Sequence, residues 1–297
     1  VQCDPVNRVL NHLFRFTNAL ARRLPPTLRR RIADFPGVLV ALARLARNRF
    51  ETIVSPEGIQ LSIYPLYHAN LMETGSLEGY EPDMRQAIRV LTKPGMVAYD
   101  LGANVGVFSI LFASLVQSRG LVYAFEPEPN NYTCLRRTIE QNGLGNIVLD
   151  TRAVGRESER GVFDRRGGAF SGRLLGKDAK YEASTNLQTV ETVSIDALIA
   201  DEGYRPPAIM KIDIEGNEGL ALEGMQRTLR DYSPVLIIEL HWHLGDPIER
   251  VSELLARNGY GWRPMSDVVR DGLLSPGDIA STPPVRHMVA SRRQPAA

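Results

Sequence analysis

The chain has 297 residues, 43% hydrophobic and 23% charged, which is enough apolar material for a packed core and too ordinary a composition for a disordered or collagenous protein. Cys3 and Cys134 are the only cysteines and stand in no Cys-x-x-Cys or Cys/His spacing, so a structural zinc and a disulfide scaffold are excluded and a reducing, cytoplasmic setting is expected. The net charge of +1 conceals an asymmetry: residues 1–50 carry ten arginines against Asp4 and Asp34, a net +8 that leaves −7 for the rest.

Val6, Val9, Leu10, Leu13, Phe14, Leu20 and Leu24 recur near helical spacing among arginines and asparagines, which predicts an amphipathic helix ended by Pro25-Pro26. A second helix is expected from Val38 to Arg49. Its apolar run stops at Ala43, far short of the ~20 residues a membrane span requires, so no transmembrane helix is expected. This basic helical extension, residues 1–50, either docks its apolar face on the main domain or offers peripheral contact to an anionic membrane or an acidic partner. Its arginines are not interleaved with stacking aromatics, so nucleic acid is not an expected partner.

Residues 51–95 lead into the core: Thr52-Val54 and Ile59-Ile63 flank the turn Ser55-Pro56-Glu57-Gly58 as a β-hairpin, and a helix from Pro82 to Thr92 is broken by Lys93-Pro94-Gly95. The main domain, residues 96–297, then alternates strand and helix. Strands are expected at Met96-Leu101, Leu121-Phe125 and Ile147-Asp150, with helices from about Val107 to Leu115 and Asn130 to Gln141. Ile209-Ile214 and Val235-Leu240 supply two more buried strands around a helix from Gly219 to Arg230, and Tyr260-Arg263 and His287-Ala290 complete the sheet edge. The polar stretch from Arg165 to Thr185 reads as a loop over the site. The pattern predicts an α/β, Rossmann-like, mostly parallel sheet with helices on both faces.

In such a sheet ligands bind beyond the carboxyl ends of the strands, so polar residues that end apolar strands are the ones to inspect. The first strand ends at Asp100-Leu101-Gly102-Ala103-Asn104-Val105-Gly106, whose glycines let the backbone turn sharply against a ligand. The second ends at Glu126-Pro127, where a carboxylate suits the two hydroxyls of a ribose. Strand, glycine turn, helix, strand, acid is a nucleoside-binding order that nicotinamide enzymes share. This loop, however, has Gly-x-x-x-Gly, no Gly-Lys-Ser/Thr for a triphosphate, and an acid with no base. An acidic loop suits the ammonium and sulfonium of S-adenosylmethionine better than a pyrophosphate.

The later strand ends carry the reactive groups. In Lys211-Ile212-Asp213-Ile214-Glu215, residues 211, 213 and 215 alternate onto one face, and Glu239-Leu240-His241-Trp242-His243 alternates likewise. So many ionisable groups are costly to bury unless paired or used. One reading is a Lys211 salt bridge with Glu215 or Glu239 that merely closes the sheet end. Another is a divalent-metal site, Mg²⁺ or Mn²⁺, on Asp213, Glu215, Glu239 and His241, which is not favoured. The favoured reading is catalytic.

Together, Gly79-Tyr80-Glu81-Pro82, the Asp100-to-Gly106 loop, Tyr123-Ala124-Phe125-Glu126-Pro127, Lys211-Ile212-Asp213-Ile214-Glu215-Gly216 and Glu239-Leu240-His241 resemble the FkbM family of class I methyltransferases from about Gly75 to Leu244. The resemblance implies a seven-stranded sheet, S-adenosylmethionine as donor, and a hydroxyl on a sugar, glycan, polyketide or related natural product as acceptor. It puts Asp100, Gly102, Asn104 and Gly106 around the methionine part of the donor, Glu126 on the ribose and the Ala153 region near adenine, with Glu81 also in the cofactor site. The first 50 residues and those after about Gly259 inherit nothing from it.

An alcohol needs a base, or a metal, to act as nucleophile near neutrality. His241 is the expected base, oriented by Asp213 or Glu239, with Lys211 and Glu215 fixing the site. A nicotinamide-dependent oxidoreductase, and a non-catalytic scaffold that binds a partner through its basic arm, remain the alternatives. Oligomeric state leaves no mark in the sequence.

Overall fold

The computed structural model describes residues 50–64, 67, 68, 71, 77–165, 172–175, 186–241, 248–271 and 286–292. The helices expected at 6–24 and 38–49, the arginine-rich arm, His243 and most of the 165–185 loop lie outside the described residues.

In chain order, β1 (Glu51–Val54) and β2 (Gln60–Ile63) are followed by α1 (Pro82–Leu91). Then β3 (Val97–Leu101), α2 (Val107–Val116), β4 (Leu121–Phe125), α3 (Pro129–Asn142) and β5 (Ile147–Asp150) alternate. Four strands come next, β6 (Ala153–Val154), β7 (Arg160–Asp164), β8 (Arg173–Leu175) and β9 (Leu187–Val193), and then α4 (Ile195–Asp201). β10 (Ile209–Ile212), α5 (Glu218–Glu223), α6 (Gln226–Asp231), β11 (Val235–Glu239), α7 (Ile248–Arg257), β12 (Tyr260–Pro264), α8 (Met265–Asp271) and β13 (His287–Arg292) complete the described chain.

Seven strands form one sheet in the order β12-β13-β11-β10-β3-β4-β5. β11, β10, β3, β4 and β5 run parallel, and β13 lies antiparallel between β11 and β12. This is the Rossmann-like class I methyltransferase architecture. The chain winds outward from β3 through β4 to β5 and then crosses back to β10, so the order reverses between β3 and β10. A cleft opens at the carboxyl ends there.

The strands are apolar on both sides because both sides are covered. Ala98, Ile209 and Ile237 face α1, α2 and α8, while Tyr99, Met210, Ile212 and Ile238 face the other layer with Leu222, Leu229 and Val251. Each such fully buried aliphatic side chain contributes about 1.5–3 kcal/mol, and Ile237→Ala would cost about 2–5 kcal/mol through the cavity it leaves. The hairpin joins the first layer: Leu61 and Ile63 are fully buried there, and the Ser62 amide donates to Thr138 Oγ1 on α3 at 2.9 Å.

Two elements differ from expectation. The single helix expected from Gly219 to Arg230 is two, α5 and α6, because a Cβ on Gly224 would lie 2.2 Å from the Gly155 carbonyl oxygen and the Asp196 carboxylate caps the restart through the Arg227 and Thr228 amides, both 2.8 Å. The second difference is a four-stranded sheet, β6-β9-β7-β8, whose strands were not anticipated and of which only β8 falls within the stretch 165–185 expected as a loop. Its core is small, Ala153, Phe163 and Val190 with Leu174 against them. The β-branched alternation in Leu187–Val193, LQTVETV, was its one sequence signal.

Candidate active site

A cavity of about 660 Å³ sits at the switch point, walled by the ends of β3, β4, β10 and β11 and by the second sheet. One end is made by the glycine turn. The Gly102 and Ala103 amides donate to the Phe125 carbonyl at 3.0 and 2.9 Å, which pulls the turn onto β4. Gly102 has φ +78°, and a Cβ there would stand 1.9 Å from the Asp213 carbonyl oxygen, so no other residue fits. Asn104, at φ 53°, donates its amide to Glu126 Oε2 at 2.7 Å, and the Glu128 amide donates to Oε1 at 2.8 Å. Burial pushes the Glu126 carboxyl up to about 7 despite those two donors. Arg152, Ala153 and Val154 line the neighbouring wall, with Phe163 and Leu174 from the second sheet. Arg152 is held by Asp150 and Glu202, and Asn217 Nδ2 ties the Leu174 carbonyl to the turn after β10 at 3.0 Å.

Two loop residues expected in contact with the cofactor lie behind the wall. Asp100 is fully buried; its Oδ2 accepts from Ser109 Oγ at 2.6 Å and its Oδ1 is 3.3 Å from Lys211 Nζ. Gly106, at φ +96°, starts α2 and packs against Leu135. Both shape the turn without lining the cavity.

The other end is built from side chains. Lys211, opposite Asp100 in the β10–β3 register, lies 3.2 Å from Asp213 Oδ2, donates to the Gly102 carbonyl at 3.2 Å, and rests over the Phe108 ring. Burial works against its charge, yet Asp213, Asp100 and Glu81 outweigh that and hold the ammonium above its ordinary pKa. β10 stops at Ile212, so the alternation expected through Glu215 is replaced by a turn with Glu215 at φ 56° and Gly216 at φ 96°. That turn still brings Glu215 Oε2 to 3.6 Å from His241 Nε2. Burial raises the Glu215 carboxyl to about 7. Glu81, the left-handed residue that starts α1, lines the cavity beside this cluster, and burial followed by the charge of Asp213 raises it to about 7.

His241 is nearly buried. Its Nδ1 is 3.0 Å from Glu218 Oε1, while Nε2 faces Glu239 at 3.5 Å, Glu215 at 3.6 Å and Asp213 at 3.9 Å. The orienting contact expected from Asp213 or Glu239 is therefore made by Glu218, which is itself buried and also takes the Gly216 amide at 3.1 Å. Burial opposes the imidazolium, but the Glu218 hydrogen bond and the charges of Glu215 and Asp213 raise His241 to about 9. Glu239 goes the other way: burial would raise it, but His287 and Arg286, whose Nε donates at 2.9 Å, hold it down at about 2.

Asp213, Glu239 and His241 each bring one donor atom within 4.8 Å of the others, the set a hard divalent ion would use. Lys211 on Asp213 and Arg286 on Glu239 already supply the counter-charge at two of the three donors, so base chemistry suits this cluster better than a metal. The expected bridge from Lys211 to Glu215 or Glu239 is not the one formed; Asp100 and Asp213 take that place.

A doubly wound sheet with one antiparallel strand near its edge, a glycine turn at the switch point and an acid ending the adjacent strand defines a class I S-adenosylmethionine-dependent methyltransferase fold. Residues 100–261, more than half of the chain, match the Methyltransferase FkbM domain, and the chain belongs to that family. It is 28% identical over 146 residues to the hexuronic acid methyltransferase AglP of Haloferax volcanii, covering 49% of this chain and 56% of that one. It is also 28% identical over 227 residues to the 31-O-demethyl-FK506 methyltransferase FkbM of Streptomyces tacrolimicus, covering 68% of this chain and 82% of that one. The crystal structure of a methyltransferase FkbM from Methylobacillus flagellatus KT superimposes over 85% of this chain and 58% of its own, with 17% identity and a TM-score of 0.41. Among the described residues no helix is long and apolar enough to cross a membrane.

Proposed function

We propose that the protein transfers the methyl group of S-adenosylmethionine to a hydroxyl oxygen of a sugar, glycan or related natural product. The observation that carries this reading is the meeting, in one cavity, of the Gly102–Glu126 turn with the His241 cluster. The turn fits the donor: Gly102, without a side chain, packs its backbone against the Asp213 carbonyl and lines the cavity, and the carboxylates around it outnumber the cations. S-adenosylmethionine supplies an electrophilic methyl on a sulfonium. Glu126 receives the ribose hydroxyls, and Asn104 and Gly102 hold the backbone against the methionine part.

The chain's own groups then prepare the acceptor. His241 Nε2 takes the hydroxyl proton as the new carbon–oxygen bond forms and the methyl–sulfur bond breaks, leaving S-adenosylhomocysteine, and Glu218 on Nδ1 holds the ring in place and stabilises the imidazolium. Lys211 balances Asp100 and Asp213, and Asp213 and Glu215 stand beside His241 where the acceptor is to be held. With His241 raised to about 9, only its neutral fraction serves as base near neutrality, and turnover rises with pH. Relatives named for a hexuronic acid and for the 31-O position of FK506 support an oxygen acceptor carried on a sugar or polyketide. The buried thiol of Cys134 suits a reducing cytoplasm.

The test is incubation with methyl-labelled S-adenosylmethionine and a panel of uronates, neutral sugars and macrolide alcohols, read by mass spectrometry beside calorimetry with S-adenosylhomocysteine and NAD. A labelled methyl ether with S-adenosylhomocysteine binding supports the reading. NAD binding with no S-adenosylhomocysteine binding overturns it.

A further inference from the structure

We infer that His68 and Asn131 form a positioning relay that holds the Glu126 carboxylate ready for the donor's ribose, an inference that rests on the reading of Glu126 above. His68, in the segment that follows β2 in the chain, is fully buried. Its Nδ1 accepts the Tyr64 amide at 3.0 Å. A neutral imidazole that accepts at Nδ1 carries its proton on Nε2, and Nε2 is 3.0 Å from Asn131 Oδ1. That proton settles which way round the Asn131 amide sits: oxygen toward His68, NH2 toward Glu126 Oε1, which it reaches at 3.4 Å. The Asn131 backbone is pinned as well, its amide donating to Glu128 Oε2 at 2.9 Å as the first turn of α3 is capped. One backbone N–H, on Tyr64, thus dictates through two side chains that a donor and not an acceptor meets the buried acid. Burial lowers His68 to about 4, so the imidazole keeps the neutral form this relay needs throughout the neutral range. A flipped amide would bring its oxygen against a carboxylate, and the acid would lose its place.

The relay is tested by calorimetry with two ligands, S-adenosylhomocysteine and its 2′,3′-dideoxy analogue, which lacks the hydroxyls that Glu126 is to receive. Asn131→Ala and His68→Ala are expected to weaken S-adenosylhomocysteine about tenfold, the size of one charge-assisted hydrogen bond. The dideoxy analogue is expected to shift by no more than about twofold. His68→Gln, which keeps a donor near Nε2, is expected to recover most of the loss. Equal weakening of both ligands, or none of either in a folded variant, overturns the relay. Glu126→Gln separates the two readings: if it leaves S-adenosylhomocysteine binding unchanged, the ribose assignment itself fails and the relay with it.

Discussion

The two ends of the cavity are held together by different forces. At the glycine turn the backbone does most of the holding: amides of Gly102, Ala103, Asn104 and Glu128 fix Phe125 and Glu126, and the Asn131 side chain adds one contact to Glu126. At the His241 end side chains do it, with Lys211, Arg286 and His287 set against Asp100, Asp213 and Glu239, and His241 against Glu218. The donor end carries one titrating acid, Glu126, on a backbone frame that does not ionise, whereas the other end is built from several side chains whose charges depend on one another. The first arrangement suits a donor that is the same in every turnover, and the second suits proton transfer.

The sharpest test of this division is His241→Ala. It is expected to lower kcat about 10²–10⁴-fold, the usual contribution of a general base, while calorimetry finds S-adenosylhomocysteine binding within about twofold of the parent. A large loss of cofactor affinity would show that the two ends are not separate. Gly102→Ala attacks the point where they touch: with φ +78° and a Cβ 1.9 Å from the Asp213 carbonyl oxygen, it should cost at least about 1–3 kcal/mol in strain. Differential scanning calorimetry should find a lower Tm together with lost cofactor binding.

Glu218→Gln is milder. It removes the carboxylate from Nδ1, lets the His241 pKa fall from about 9 toward its ordinary 6.5, and should reduce kcat about tenfold at high pH while moving the pH profile of kcat/KM to lower pH. In the parent enzyme kcat/KM should climb up to about pH 9, because the base form of His241 grows through that range.

The smallest effect is on stability. His241, raised from 6.5 to about 9, contributes stability that is complete below 6.5 and lost as pH rises through 9. Glu126 and Glu215, raised from 4.5 to about 7, add the same sign between those values. Glu239, lowered from 4.5 to about 2, contributes above 4.5 and loses its share only as pH falls through 2. Tm should therefore decline between about pH 5 and about pH 9, and Glu218→Gln should flatten the upper part of that decline.

The donor end was legible in the sequence because it is contiguous: Asp100 to Glu126 reads as strand, turn, helix, strand, and the chemistry follows from that order. The seven strands of the main sheet were legible for the same reason, since each is a short apolar run between breakers. The acceptor end gathers residues from distant segments, and their local sequence disguises them. Glu218 reads as an acid in the first turn of a helix, a common partner of the helix dipole. Arg286 precedes β13, far in sequence from the rest of the cluster, and at the donor end Asn131 looks like one polar residue among many in α3. The alternation argument failed past Ile212 because Glu215 leaves the extended region. The second sheet was hidden by its polar composition and its few core residues.

The pairing of Lys211 with Asp100 also bears on how the fold is reached. β10 must find its place beside β3 after the chain has wandered through β5 and the second sheet. Its two faces differ by a single lysine. A slip of one residue would turn Lys211 toward Tyr99, Leu101 and Ile238, where the packing is apolar, and leave a buried charge uncompensated at a cost of about 3–5 kcal/mol. The ion pair thus favours one strand register, and the same register sets the reactive cluster beyond Ile212 opposite the glycine turn.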